Sequence, residues 1–231
     1  MRVSVVIPNN GRDISQIRES IGDMVGVEIL EIDVGMERSA QRNIGIEQAK
    51  GRYIFILDSD QVPTQELIME CVSIMEDNPD VVGVYIPEHI VGDDWFTRLR
   101  YFERQFYTGT LVDCVRFVRA NNCPKFDESM SGPEDADWDL RIKGLKVIAK
   151  NPLYYMDDVS FKNYIKKKAY YSKSMDRFKK KHPQAKVLDF KYRCWTVFTE
   201  RGKWKILLRH PAMTLKLIFL LLVRGIIYKL R

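Results

Sequence analysis

Residues Glu37–Asp60 read ERSAQRNIGIEQAKGRYIFILDSD. Within this stretch Ser39–Lys50 is predicted as a helix, with Gly51 as its stop signal. Tyr53–Leu57 (YIFIL) is an unbroken apolar run, as expected of a strand buried on both faces. It ends directly in Asp58-Ser59-Asp60. Two carboxylates two positions apart at an extended end can reach one divalent cation, and hard oxygen donors select Mg²⁺ or Mn²⁺. Asp pairs also serve ordinary turns. The position after a buried strand is what makes this pair a candidate site.

Working outward, strands and helices alternate. Val3–Ile7 is a β-branched run followed by the turn Pro8-Asn9-Asn10-Gly11. Ile14, Ile17, Ile21 and Met24 then recur at helical spacing behind Asp13. Val27–Asp33 (VEILEID) reads as a second strand, Thr64–Asp77 as a helix and Val81–Ile86 as a further strand. The pattern predicts an α/β fold with a mostly parallel central sheet flanked by helices. Ligands of such sheets bind beyond the C-terminal strand ends. Asn9, Asn10, Asp33, Asp58 and Asp60 all fall there, so three loops are expected to converge on one crevice. Further on, Asp93–Tyr107 reads as a helix, Leu111–Val118 as a strand, Asp135–Lys143 as a helix and Lys162–His182 as one long basic helix.

Three blocks in this order resemble the family 2 glycosyltransferases: the opening VSVVIPNNGR with VEILEID, the stretch Glu37–Asp60, and Gly132-Pro133-Glu134-Asp135 with Trp138-Asp139-Leu140-Arg141 and Gly144. The family typically reads ARNxGIxxAxGxYIxFLDSD and GED…DLxxR…G, and the likeness covers about residues 3–155. It implies a GT-A nucleotide-sugar-binding fold, a nucleotide-diphosphate sugar (UDP- or GDP-linked), a divalent metal (Mn²⁺ or Mg²⁺) and inversion at the anomeric carbon. By that resemblance Pro8 and Asn10 line the nucleotide pocket, Asp33 bonds the base, and Arg42 lies near the diphosphate. Asp58 faces the ribose and the metal, Asp60 ligates the metal, and Asp135 is the general base. Inverting transfer needs one carboxylate to deprotonate an acceptor hydroxyl, which suits an Asp held rigidly at a helix start. Glu134 is the alternative base, and both acids could simply stabilise that helix start. Glu134, Trp138, Arg116 and Arg119 are assigned to the acceptor side, where the two arginines could contact a phosphate or form a solvated strand face. Trp95, Phe96, Tyr101, Phe102 and Phe106 form either a sugar or lipid platform or an ordinary core.

The sequence departs from the family in two ways. The usual aromatic before Asn in the first turn is replaced by Asn9, and no His follows the last strand near Tyr154–Asp158, so Asp157 or Asp158 could stand in as a metal ligand. The Q-x-x-R-W signature of processive synthases is absent, which points to single sugar additions. Two other classes compete: a non-catalytic GT-A-like binding module on a membrane or other anionic surface, and a nucleotidyltransferase. The latter usually carries a Gly-rich basic first loop, unlike PNNGR.

The chain has 231 residues and a net charge of +6, which hides an asymmetry. Residues 160–231 hold 20 Lys+Arg against 3 Asp+Glu, a balance of +17, whereas residues 1–159 sum to −11. A basic back suggests an anionic partner. The expected division is a catalytic domain at 1–155, a basic helical extension at 156–211, and an apolar helix at 212–231. That helix contains LIFLLLV between Lys216 and Arg224, far short of the roughly 20 apolar residues of a span. It is expected either to lie in an anionic membrane surface or to dock on the protein's own core. Trp195, Trp204 and Tyr228 among basic residues favour the interface. No nucleic-acid-binding motif is present, so no nucleic acid is expected. The four cysteines form no C-x-x-C pair and the first residues do not read as a signal peptide. The expected setting is therefore cytoplasmic, peripheral to the membrane's cytoplasmic face.

Overall fold

The computed structural model describes residues 2–156, 160–171 and 174–229. Asp157 and Asp158, the expected stand-ins for the missing His, lie outside them. Strand β1 (Val3–Pro8) sits between β2 (Val27–Ile32) and β3 (Tyr53–Ile56), parallel to both. Helix α1 (Ser15–Ile21) connects β1 to β2, and α2 (Arg38–Gln48) connects β2 to β3. A short β4 (Gln61–Val62) and α3 (Gln65–Asp77) lead to β5 (Val81–Tyr85) and β6 (Glu88–Ile90). Thr64 caps α3 by accepting the Leu67 N–H. Helix α4 (Trp95–Arg104) starts on Asp94, whose carboxylate accepts the Phe96 and Thr97 N–H groups. Then come β7 (Phe117–Arg119), α5 (Glu134–Arg141), β8 (Leu145–Ile148) and β9 (Leu153–Tyr155).

The main sheet has the order β2-β1-β3-β7-β5-β8, and a small sheet has the order β4-β9-β6. The α/β expectation holds, with one correction. Of the expected strand at 111–118 only the last two residues are strand, as the start of β7 (Phe117–Arg119), which runs antiparallel to both β3 and β5. The central strands β1 and β3 are buried on both faces. Val3, Val5, Ile7, Tyr53 and Phe55 pack towards α1 and α3, while Val6, Ile54 and Ile56 pack with Trp138 on the α2 and α5 side. The glycine of the RNIGI segment has a packing role. A Cβ at Gly45 would overlap the Val6 side chain, so the bare backbone lets α2 lie against β1.

The rest of the described chain is helical. The stretch expected as one helix at 162–182 contains α6 (Phe161–Tyr171) and α7 (Met175–Lys181), with residues 172–173 between them outside the described ones. A π-helical turn at Tyr192–Thr196 runs into α8 (Val197–Thr199), followed by α9 (Trp204–Arg209) and α10 (Pro211–Lys229). Helix α10 docks by one face. Leu217 and Leu220 join Phe96, Leu99, Phe102, Phe106 and Tyr164 in a separate core. The aromatics of α4 are thus mostly core rather than platform, with Trp95 left exposed. Arg224 penetrates this core. It donates to Glu103 at 2.6 Å and to the hydroxyls of Tyr107 and Tyr164. The opposite face of α10 is apolar and open to solvent at Leu215, Ile218, Phe219, Leu222 and Ile226. No helix among the described residues is long and apolar enough to cross a membrane.

Candidate functional site

The loops after β1, β2 and β3 meet at one edge of the main sheet. Pro8 ends β1, buried and in register with Ile32 of β2. Asn9 is pinned from both ends of its amide, its Nδ2 donating to Glu31 at 2.6 Å and its Oδ1 accepting the Arg12 N–H. Asn10 reaches outward, and its Oδ1 accepts from Gln41 Nε2 at 2.8 Å. The same amide donates to the Asn9 carbonyl at 3.1 Å, so α2 holds the first loop in shape. Asp33, just past β2, is solvent-exposed.

The centre of the site is an ion network. Arg42 on α2 has no exposed side-chain surface. Its Nη2 donates to Asp58 Oδ1 and its Nη1 to Asp135 Oδ1, both at 2.7 Å. Its guanidinium stacks 4.9 Å from the Phe126 ring, and Phe126 is fixed by paired bonds between its backbone and the Asn43 amide. On the other side, Arg116 reaches Asp58 Oδ2 at 3.4 Å and Glu88 Oε1 at 3.1 Å. Arg104 also grips Glu88, with Nε donating at 2.7 Å. Burial by itself would raise the pKa of Asp58, but the charges of Arg42 and Arg116 outweigh it and hold this carboxyl well below the usual range. Asp60 lies beside it, 3.9 Å from Arg12, with its backbone carbonyl accepting from Met156.

Glu134 and Asp135, adjacent in sequence, have different settings. Glu134 is buried, and burial followed by the neighbouring Asp135 charge raises its pKa. The Asp135 side chain keeps 36% of its surface open while bonded to Arg42. A substrate proton can reach Asp135 more readily than Glu134. Asp137 and Asp139 hold the helix in place instead, through Arg141, Lys181 and His182 for the first and Lys146 for the second.

Two of the residues assigned to the acceptor side are held elsewhere by their own contacts. Trp138 is 1% exposed, stacked on Phe126 at 4.7 Å, and its indole N–H donates to the Pro124 carbonyl. It has no surface to offer a substrate. Arg119 pairs in register with Tyr53, the first residue of β3, and donates to the carbonyls of Val81, Met75 and Asn78. Because β7 is antiparallel, Arg116 just before it stands at the site and Arg119 at its end stands at the far edge of the sheet. Conversely, Gln41, Glu88, Arg104 and Phe126 belong to the site and were not singled out from sequence. Gln41 alone had a local signal, standing next to Arg42 in the quoted stretch.

The donor set suits a hard cation in part. Both oxygens of Asp58 face guanidinium groups, which leaves Asp60 as the better-disposed metal ligand. One or two carboxylates completed by substrate phosphates and water are an ordinary Mg²⁺ environment. Among the described residues no group of three His, Cys, Asp or Glu could hold a metal on its own.

Comparison with known proteins gives the same fold. The glycosyl transferase family 2 profile matches residues 5–126, just over half the chain. Among solved structures, S. aureus TarS 1–349 aligns with a TM-score of 0.53 and 13% identity, over 94% of this chain and 79% of that one. A longer S. aureus TarS structure aligns with a TM-score of 0.51 and 13% identity, over 76% of this chain and 40% of that one. The chain therefore spans about two fifths of the longer TarS chain, and at this identity the likeness is one of fold. No curated protein matches the chain significantly. With a mixed sheet flanked by helices in the GT-A arrangement and the family profile over most of that sheet, the chain belongs to glycosyl transferase family 2.

Proposed function

We propose that the protein is an inverting, metal-dependent glycosyltransferase that moves one sugar per encounter from a UDP- or GDP-linked donor to a glycan or lipid-linked acceptor. The observation that carries this reading is Arg42. One buried guanidinium ties Asp58, after β3, to Asp135, at the start of α5. The donor would lie across the strand ends, its base towards Asp33 and its nucleoside along Pro8, Asn10 and the Gln41-held loop, with the diphosphate at Asp58 and Asp60. A divalent ion on Asp60 would neutralise the departing diphosphate. Asp135 would accept the proton of the acceptor hydroxyl as that oxygen attacks from the face opposite the leaving group. Arg42 would hold Asp135 against the donor-binding loop, so that donor and base keep one spacing.

The surroundings of the C-terminal helices support attachment to the cytoplasmic face of an anionic membrane. Leu215, Phe219, Leu222 and Ile226 recur at helical spacing on the open face of α10, with Trp204 and Leu208 of α9 and Trp195 also exposed, and Lys205, Arg209 and Lys216 beside them. Interfacial helices combine such features.

A panel of nucleotides and nucleotide sugars with Mn²⁺ or Mg²⁺, read by thermal shift and by donor hydrolysis, tests the function. At least one UDP or GDP compound should bind and turn over. Asp60→Ala and Asp135→Asn should each abolish turnover with the fold intact, and Asp135→Asn should still bind nucleotide. Binding without turnover across the whole panel would favour the non-catalytic binding module. Full activity in Asp135→Asn would remove the base assignment.

A further inference from the structure

The chain around Asp135 is held from two sides. From the inside, Arg42 bonds Asp135 directly, and Asn43, the next residue of α2, pins the Phe126 backbone and donates to Glu128 at 2.8 Å. Between Phe126 and α5 the chain forms neither helix nor strand. Its outer side is covered by α7, from the basic extension. Ser174, just before α7, accepts the Ser131 N–H at 3.1 Å, and Arg177 donates to the Ser129 carbonyl. Phe178 is fully buried in a small core with Met130, against which Ala136 and Leu140 of α5 pack. All of α7 lies beyond the residues 5–126 that match the family profile, so the profile carries none of this arrangement.

Lys181, the last residue of α7, bridges the two ends of the irregular stretch. Its Nζ donates to Asp127 Oδ2 and to Asp137 Oδ1, both at 2.7 Å. Asp127 stands near the start of the loop and Asp137 in the first turn of α5, so one ammonium closes a loop that carries Asp135 between its ends. The bond from Lys181, and then that from Ser129, draws the Asp127 carboxyl down to about 2. Asp137 has no exposed side-chain surface. Burial alone would raise its pKa, but bonds from Lys181 and His182 outweigh this and hold it below the ordinary range. The Asp127 arm is open to water and adds little to global stability. Its effect is local: it keeps the two ends of the loop together.

We infer that Lys181 is a positioning residue for sugar transfer, bridging Asp127 and Asp137 so that Asp135 keeps one place opposite the donor. The inference rests on the glycosyltransferase reading with Asp135 as base, and it makes the basic extension part of the catalytic unit. Arg42 grips one oxygen of Asp135, and the loop leading into the helix start sets where that oxygen sits. A misplacement of about 1 Å in a reacting group can cost about 10²-fold in rate.

The test compares point variants of the full chain in hydrolysis of the UDP- or GDP-sugar that the wild type turns over, with nucleotide titration and amide hydrogen exchange alongside. Lys181→Met should lower kcat by about tenfold or more and leave nucleotide Kd and donor KM unchanged. It should also speed exchange across residues 127–135 but not in β1 or β3. Lys181→Arg, which keeps a cation between the carboxylates, should restore most of the rate. Lys180→Met takes the same charge from the same helix and should change nothing. Wild-type kcat in Lys181→Met would overturn the inference. So would an equal loss in Lys180→Met, or a fall in nucleotide affinity large enough to account for the lost rate. Failure of the parent reading looks different: the wild type would turn over no donor, while exchange at 127–135 still answered to Lys181→Met.

Discussion

Arg42 is buried as completely as a core phenylalanine, yet it carries charge between two carboxylates. A lysine there would keep the charge but lose the planar fork that reaches both Asp58 and Asp135. Arg42→Lys should therefore fold and lower donor turnover by about 10²-fold, the cost of a small misplacement of reacting groups; steady-state hydrolysis with circular dichroism as the folding control measures this. Asp113 makes a second residue-level prediction. Burial pushes its carboxyl up to about 7, against the pull of Arg104. The folded state thus binds a proton that the unfolded state does not, so the contribution to stability grows as pH falls from about 8 towards the unfolded value near 4, and is lost as pH rises through 7. Urea midpoints measured between pH 5 and pH 8 should show this slope, and Asp113→Asn should flatten it. At this scale the sequence showed the residues that lie in short local patterns: Asp58, Asp60, Arg42 and Asp135. It did not show Glu88 or Arg104, whose roles arise only when β6 and α4 are folded against β7. It did not show that Trp138 is buried, since a pattern that locates an indole on a helix does not say which face of that helix is buried.

The elements that position the site were readable where their periodicity was strong. β1, β3, α2 and α3 each have clear apolar runs or repeats and appear close to where they were expected. β7 is three residues long, and its direction is set by the neighbours it pairs with, which no local pattern records. Gly45 shows an element-level constraint that can be tested directly. Adding one methyl group forces α2 away from Val6 and carries Gln41 and Arg42 with it. Gly45→Ala should destabilise the fold by about 1–3 kcal/mol, the range for overpacking a close contact, measured by urea unfolding. Helix propensity by itself would predict a gain, so the sign of the change discriminates between the two effects.

For the whole molecule, composition foretold a basic back half but not how it is organised. The alternatives of a docked helix and an interfacial helix turned on which face of α10 was meant. One face is docked through Leu217, Leu220 and Arg224, and the other is open and apolar. The membrane proposal is best tested on the open face, because removing α10 would strip Glu103 of a buried partner. Phe219→Glu/Leu222→Glu should reduce co-sedimentation with anionic liposomes severalfold and leave the thermal midpoint and nucleotide binding unchanged. Equal sedimentation would argue that this face meets no bilayer. Arg224→Leu, by contrast, should cost about 1–3 kcal/mol in urea unfolding, the scale for losing a charge-assisted hydrogen bond, since Glu103 keeps its ion pair with Arg100.

Helix α4 joins these two regions. Its Phe96, Leu99 and Phe102 pack with α10, while its Arg100 and Arg104 line the cavity that Asp58 and Asp60 also line. A rigid connection of this kind would keep the cavity at a constant height above any surface that α10 touches. An acceptor confined to that surface would then be met by diffusion in two dimensions at a high effective concentration. Turnover would follow the mole fraction of acceptor within the lipid rather than its amount per volume of buffer, and diluting the same vesicles would barely slow an attached enzyme.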